Sequence, residues 1–409
     1  MTGMSSKNQH IPAIRFKGFT DGWEQRKLKE LTEVITKGTT PKDKSGKGSI
    51  NFVKVENINK SSGEIDIKSK ITENEHEGYL KRSQLKDGDI LFSIAGTLGR
   101  TAIVKKELLP ANTNQALAII RLDEGDKNYI TTFLNGRAAE DFIKKNPTVG
   151  AQPNLSLEQV GNLLIEIPSL EEQTKIGSFF KQLDDTIALH QLQLNRYKEL
   201  KQAMLENMFT QDGEKIPKIR FNGFTEEWEQ RKFKDFTKLS QGLQIAISER
   251  FLEPGENRES YITNEFLNPS LSKKYYIENP PKNVIADVDD ILMTRTGNTG
   301  KVVTNIIGAF HNNFFKIDYD KEKNSKLYLY YLLTSSPLQR ELLVRAGTST
   351  IPDLNHNDFY KIKVYIPSTE EQKKIGNFFK QLDDTIALHQ QKVNYYKQLK
   401  KVVLHHMFI

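Results

Sequence analysis

No cysteine occurs among the 409 residues, which excludes disulfides, thiolate metal sites and cysteine nucleophiles and fits a reducing compartment. No window approaches the roughly 20 apolar residues of a membrane span, and the opening MTGMSSKNQH lacks the apolar centre of a signal peptide. A cytoplasmic protein without membrane contact is expected. The marks of several enzyme classes are missing too. There is no Gly-x-Ser-x-Gly elbow and no His-Glu-x-x-His pair. Gly297-Asn298-Thr299-Gly300-Lys301 runs into Val302, with neither the spacing nor the hydroxyl of a phosphate-binding Walker loop. Lys282 follows Asn279-Pro280-Pro281 where stacking on a flipped base needs an aromatic ring, and no glycine-rich strand-to-helix turn precedes it. We therefore expect no catalysis by this chain alone, no bound cofactor and no metal site.

What the chain does contain is itself, twice. Ile14–Leu31 (IRFKGFTDGWEQRKLKEL) returns 205 positions later as Ile219–Phe236 (IRFNGFTEEWEQRKFKDF). Ile167–Gln191 (IPSLEEQTKIGSFFKQLDDTIALHQ) returns 199 positions later as Ile366–Gln390, while the stretches between hardly match. A unit of about 200 residues is far longer than a solenoid repeat, so the pattern reads as two domains of one type, a duplicated frame with two different inserts. A hydrophobic content of 37% with 27% charged residues describes a globular protein. The net charge of +7 and pI near 9.1 form a mild excess, so any DNA contact must come from local patches.

The second repeated segment reads as a long helix. Ser169 and Ser368 each precede a glutamate by three positions, Glu172 and Glu371, the spacing of a capping box. Positions then alternate by four and three through Ile176, Phe180, Leu183, Ile187, His190, Leu194, Tyr197, Lys201, Met204 and Met208. The copy runs Ile375, Phe379, Leu382, Ile386, His389, Val393, Tyr396, Lys400, Val403 and Met407. This is a coiled-coil seam, and some 38 residues of it make a rod of about 57 Å. Two such rods are expected to lie antiparallel in a pseudo-twofold monomer, bringing Phe408 back beside the first rod's start. His190 and His389 read as a metal pair, a pH switch, or histidines packed in a slightly polar layer, the last being preferred; Lys201 and Lys400 read as register-setting or snorkelling residues.

Between the frames lie short β-type runs: Asn51–Val55, Asp89–Ile94, Thr101–Val104, Ala116–Leu122 and Leu163–Ile167, with a helix near Tyr129–Lys144. The second insert follows with Asp290–Thr294, Lys301–Thr304, Phe314–Tyr319, a helix near Ser325–Val344, and Lys361–Ile366. Each insert is thus α+β. DILFSIAGTLGR from Asp89 aligns with DILMTRTGNTGK from Asp290, a strand entering a Gly-x-x-Gly turn followed by Arg100 or Lys301. Such a turn suits either a phosphate or an ordinary hairpin.

These pieces together resemble the specificity (S) subunits of type I restriction-modification systems, over essentially the whole chain. Lys37-Gly38-Thr39-Thr40-Pro41 is similar to the opening loop of that family's target-recognition domains, and Gly88-Asp89-Ile90-Leu91 to its Gly-Asp-Ile-Leu strand. The entries IPSLEEQTKI and IPSTEEQKKI are its most distinctive motif. The second insert departs from it at Gln241-Gly242-Leu243-Gln244 and at Asp287-Val288-Asp289.

The resemblance implies an α+β chain of two target-recognition domains in tandem pseudo-twofold repeat, separated by two long antiparallel coiled-coil helices. The layout expected is a disordered 1–12, a recognition domain 13–168, a helix 169–209, a linker 210–218, a second recognition domain 219–367 and a second helix 368–409. Each domain would read one half of a bipartite double-stranded DNA target. Two methylation (M) subunits with S-adenosylmethionine would methylate adenine, and two restriction (R) subunits would use ATP and Mg. Expected DNA contacts are Lys37, Thr39, Lys42, Lys44, Lys47, Arg100, Lys105 and Lys106 in the first insert. In the second they are Arg295, Asn298, Lys301, Asn312, Asn313, Arg345 and Thr348. The competing expectation is a coiled-coil protein-interaction scaffold without DNA readout.

Overall fold

The computed structural model describes residues 11–43, 45–60, 62–145, 153–211, 213–267, 273–347 and 352–408. Its contacts divide the chain into two units, 1–192 with 389–409, and 193–388. Of the expected features, Lys44, Thr348 and residues 1–10 lie outside the described residues.

The first unit holds β1 (Glu24–Lys27), β2 (Thr32–Lys37), β3 (Ile50–Val53), β4 (Ser69–Ile71), β5 (Ile90–Ser93), β6 (Thr101–Ile103), β7 (Ala111–Thr113), β8 (Leu117–Leu122) and β9 (Leu164–Ile167). Its helices are α1 (Glu73–Glu77), α2 (Lys127–Leu134), α3 (Arg137–Lys145) and α4 (Leu157–Gly161), after which the long α5 (Leu170–Asn207) begins. The second unit repeats this order with β10 (Glu229–Lys232), α6 (Phe233–Phe236), β11 (Thr237–Gln241), β12 (Arg258–Ile262), β13 (Tyr275–Glu278), β14 (Ile285–Ala286), β15 (Ile291–Thr294), β16 (Val302–Thr304), β17 (Gly308–Phe310) and β18 (Phe314–Tyr319). There follow α7 (Lys326–Thr334), α8 (Ser336–Ala346), α9 (His356–Lys361), β19 (Lys363–Ile366) and the long α10 (Thr369–Met407).

Each unit has a four-stranded antiparallel sheet, β2-β8-β5-β6 or β11-β18-β15-β16. A second sheet stands beside it, three-stranded β4-β3-β7 or four-stranded β13-β12-β17-β14, with one parallel pair in each. A two-stranded ribbon, β1-β9 or β10-β19, joins the two ends of the insert. The continuous apolar runs of β5 and β15 follow from burial on both faces. Ile90 and Phe92 enter one core and Leu91 the other; Ile291 and Met293 are likewise opposed by Leu292.

Two expected helices are each broken in two. The first breaks at Asn135-Gly136 and the second at Ser335, since Pro337 has no N–H to continue α7 and opens α8 instead. At the helix entries, Ser169 and Ser368 accept from the backbone N–H of Glu172 and Glu371, but the two carboxylates do not close a capping box. Glu172 and Glu371, 0% and 1% exposed, instead accept bidentate bonds from Arg15 (2.6 and 2.7 Å) and Arg220 (2.7 and 2.8 Å). A carboxylate this deeply buried needs a cation, and Arg15 and Arg220 supply it from the first repeated segment.

The seam also divides its work. Ile176, Phe180, Ile375 and Phe379, expected between helices, face the domain cores. The first turns of α5 and α10 lie so close to α2 and α7 that a Cβ on Gly177 would sit 2.7 Å from Tyr129 N, and one on Gly376 2.9 Å from Tyr328 N. Leu183, Ile187, Leu194, Leu382 and Val393 are buried beyond those turns, with Tyr197, Ile386 and Tyr396 half-buried.

Within each unit the long helices meet antiparallel. Asp184 pairs with Lys400 at 2.6 Å and His190 Nδ1 lies 3.1 Å from His389 Nδ1 in the first unit; Lys201 pairs with Asp383 at 2.6 Å in the second. Lys201 and Lys400 are therefore ion-paired rather than snorkelling. Phe408 packs among Trp23, Tyr129, Phe133 and Phe180, with ring centroids 5.5 to 6.3 Å apart. Phe209 stands in the same place against Tyr328 and Phe379, both at 5.8 Å. This is why the contact boundary falls inside both helices rather than at their starts. No helix among the described residues is long and apolar enough to cross a membrane.

Phe408→Ala is expected to destabilise the first unit by about 3–5 kcal/mol, the cost of emptying a packed aromatic site. Hydrogen exchange should rise in that unit's core, and the second core, closed by Phe209, should keep its protection.

Candidate nucleic-acid interface

One loop cluster stands at the same end of the four-stranded sheet in both units. It starts with the turn after β5 or β15. Ser93 Oγ donates to Thr97 O at 2.6 Å and accepts from Arg100 N at 2.7 Å; Thr294 Oγ1 donates to Asn298 O at 2.5 Å and accepts from Lys301 N at 2.9 Å. Gly96, Gly99, Gly297 and Gly300 all have positive φ, between 72° and 86°, a conformation that favours glycine. The far side of each turn is tied down by Leu155 N donating to Ile94 O, or Leu354 N to Arg295 O.

The loop after β2 or β11 completes the cluster. A Cβ on Gly38 would lie 2.1 Å from Asn114 O, and one on Gly242 2.1 Å from Phe310 O. Only glycine allows this approach, so Gly242 keeps the loop's geometry although its threonine and proline are lost. Two exposed side-chain pairs sit here: Thr40 donates to Gln115 in the first unit, and Asn312 Nδ2 to Gln244 Oε1 at 3.1 Å in the second. Thr40, Gln115 and Gln244 were not among the expected contacts: Thr40 and Gln244 stand in the opening-loop segments but carry no charge, and Gln115 lies in neither segment. Superposing the two β-sheet registers finds them.

The expected contact residues are placed unevenly. Lys37, Lys42 and Lys47 are exposed around the first loop, with Lys42 Nζ 4.5 Å over the Tyr79 ring. Thr39 Oγ1 accepts from Arg82 Nε at 3.1 Å. Arg100 turns inward: its Nη1 donates to Val55 O and Ile58 O at 3.3 and 2.7 Å, so it staples the fold rather than offering a free cation. Lys105 and Lys106 are exposed, but they follow β6 and lie at the opposite end of the β5–β6 hairpin from the cluster.

In the second unit Asn298 and Lys301 are exposed on the turn. Asn313 holds it through Arg295 N donating to Asn313 O at 2.7 Å. Two arginines are engaged internally, Arg295 with Asp353 at 2.7 Å and Arg345 with Glu341 at 2.6 Å.

A profile of the type I restriction modification DNA specificity domain matches residues 20–201 and again 225–396. The chain belongs to the type I restriction-modification DNA specificity family. The MjaX type I restriction enzyme specificity subunit of Methanocaldococcus jannaschii is 25% identical over 411 residues, covering 97% of this chain and 95% of its own. The S subunit crystal structure from M. genitalium covers 98% of this chain and 99% of its own, with a TM-score of 0.64 at 14% identity. A chain solved in work on type I restriction-modification complex assembly covers 94% and 96%, with a TM-score of 0.53 at 17% identity. Two DNA specificity domains in tandem make this chain a specificity subunit, a non-catalytic role.

The electrostatics of the specificity subunit's second cluster are those of neutral histidines. Burial, aided by the Arg250 cation and opposed by a bond to Asn313, holds His311 below its ordinary value. Burial and Arg295 do the same for His356, whose ring lies 4.6 Å from Phe315. At the seam, burial, Lys392 and His389 lower His190. Among the described residues no group of three or more His, Asp or Glu is placed to hold a metal ion.

A histidine lowered on folding stays neutral while the unfolded chain takes a proton near pH 6.5. Stability should therefore be level above that pH and fall as pH drops through it towards the depressed folded values. Thermal unfolding compared at about pH 7.5 and about pH 5.5 should show this loss, and His311→Gln should reduce it.

Proposed function

We propose that each unit of this specificity subunit reads one half of a bipartite double-stranded DNA target in the cytoplasm. The observation that supports this most directly is the repetition of one rigid loop cluster on one frame with different side chains at its tips. A frame that recurs does the same task twice; tips that differ recognise different sequences. In this reading the frame, meaning the repeated segments and long helices, engages two M subunits that carry S-adenosylmethionine and methylate adenine at N6. Two R subunits with ATP and Mg complete a complex that restricts, so this chain supplies the address and its partners the chemistry.

The deciding experiment is modified-base sequencing of genomic DNA from cells with and without this gene, the M-subunit gene being intact in both. Loss of N6-methyladenine from a single motif with two specified halves and an unspecified gap is expected. Identical methylomes, with both proteins expressed, would remove DNA addressing and leave a protein-interaction scaffold.

The exposed and engaged cations also separate. Lys301→Ala in the assembled complex should weaken all DNA sequences together and reduce the slope of log affinity against log salt by about 1. Arg100→Ala should leave that slope unchanged and destabilise the first unit by about 1–3 kcal/mol, by stranding the carbonyl of Ile58, whereas Val55 O keeps its bond from Ile58 N.

A further inference from the structure

The two exposed side-chain pairs of the loop clusters occupy one structural position. In the first unit Lys37 is registered with Ala118, and extending that register by three residues brings Thr40 opposite Gln115. In the second unit Gln241 is registered with Phe315, and the same extension brings Gln244 opposite Asn312. Each pair thus projects from the sheet along the same two neighbouring strands, beyond a glycine with no room for a side chain. The loop's backbone bonds recur in both units, Gly38 N to Leu117 O as Gly242 N to Phe314 O and Thr39 N to Thr113 O as Leu243 N to Phe310 O, although Asn312 N also donates to Leu243 O in the second; the pairs themselves differ. One joins a hydroxyl to an amide and the other two amides.

Fold stability gives little reason for such pairs. A side-chain hydrogen bond in contact with water gains little over the bonds water would make, and ordering long side chains opposes it. What the pairing does is hold each amide in one orientation on a rigid base, as recognition requires. A carboxamide presents a donor and an acceptor side by side, the complement of the adenine N6 and N7 edge, and a threonine methyl suits the thymine methyl. Exposed lysines stand close by, Lys37 beside the first pair, and a lysine meets a phosphate as a point charge.

We propose that Thr40 with Gln115, and Gln244 with Asn312, are specificity-determining pairs, each reading the major-groove edge of one A·T base pair in its own half of the target. This rests on the reading of each unit as a DNA reader given above.

The test uses Gln115→Ala and Gln244→Ala, each expressed as full-length chain with the M subunit. It combines modified-base sequencing with competition binding to duplexes altered one base pair at a time. Gln115→Ala should make a single position of one half degenerate and leave the other half intact, and Gln244→Ala should do the converse. Discrimination at that position should fall roughly 5- to 150-fold, the loss of a bidentate base contact. Gln115→Glu, which keeps the size but replaces the donor with an acceptor, should move the preference at that position from adenine towards cytosine.

A wild-type chain that specifies a two-part motif, with variants that keep full discrimination at every position, would overturn the pairs and leave the DNA-reading function standing. Uniform loss of affinity with discrimination unchanged at every position would overturn them as well, since a phosphate contact or a folding defect acts that way. A wild-type chain that specifies no such motif would overturn the underlying function first.

Discussion

Both cores depend on a phenylalanine delivered by a helix that starts in the other unit. Phe408 and Phe209 follow the last turns of α10 and α5, and each closes a ring of aromatic side chains beside the start of the other long helix. Burying an aromatic side chain contributes roughly 1.5–3 kcal/mol, and here it also fixes the course of the chain. A helix whose two ends are each anchored in a core must run antiparallel to its counterpart within each unit. The apolar ends supply strength but little discrimination between neighbouring registers.

Register falls to the polar layers. Asp184–Lys400 and Lys201–Asp383 are the same pair written twice, since each residue recurs 199 positions on. Burial pushes the Asp184 carboxyl up even against the attraction of Lys400, so the pair adds little net stability. A helix slipped by one turn, however, would leave both partly buried charges without their partners, which disfavours that register. Apolar ends and charged middle thus do separate work, and the Arg15–Glu172 and Arg220–Glu371 pairs join the first repeated segment to the helix entry in the same way.

This division explains what the sequence disclosed. The heptad pattern located the long helices to within a residue or two, because a period of 3.5 over many turns marks a helix, although it did not separate the turns that face a domain core from those that face the other helix. The capping glutamates were half legible: serine caps the helix from local geometry, whereas the partner of Glu172 lies 157 positions away in Arg15. Only one strand of each ribbon was legible, β9 within the run Leu163–Ile167 and β19 within Lys361–Ile366. β1 and β10 both read Glu-Gln-Arg-Lys, with no apolar alternation, and their partners are more than a hundred residues distant. Arg100 was misread for a related reason, since a basic residue after a glycine turn looks alike in sequence whether it faces solvent or the carbonyls of Val55 and Ile58. Conversely, the departure at Asp287-Val288-Asp289 puts Asp289 in the place of Gly88, yet the turn persists. Lys86 N donates to Asp89 Oδ2 at 2.7 Å and Asp287 N to Asp290 Oδ2 at 3.0 Å, so the aspartate, not the glycine, carries it.

The distribution of charge follows from the same economy of roles. Arg100, Arg295 and Arg345, planar cations suited to tight and directional bonding, are engaged within the protein, while Lys37, Lys42, Lys47 and Lys301 remain exposed. Exposed lysines attract any polyanion without regard to sequence, and a net charge of only +7 keeps that attraction weak. In the proposed function a strong non-specific term would be a liability, because a genome offers vastly more wrong sites than right ones and the specificity ratio is what matters. On that proposal, exposed lysines would supply the attraction and neutral amides the discrimination, raising that ratio without raising the background. Discrimination would then reside in uncharged side chains on a frame tied by the Arg15–Glu172 and Arg220–Glu371 pairs, and the tips could change without disturbing what holds them.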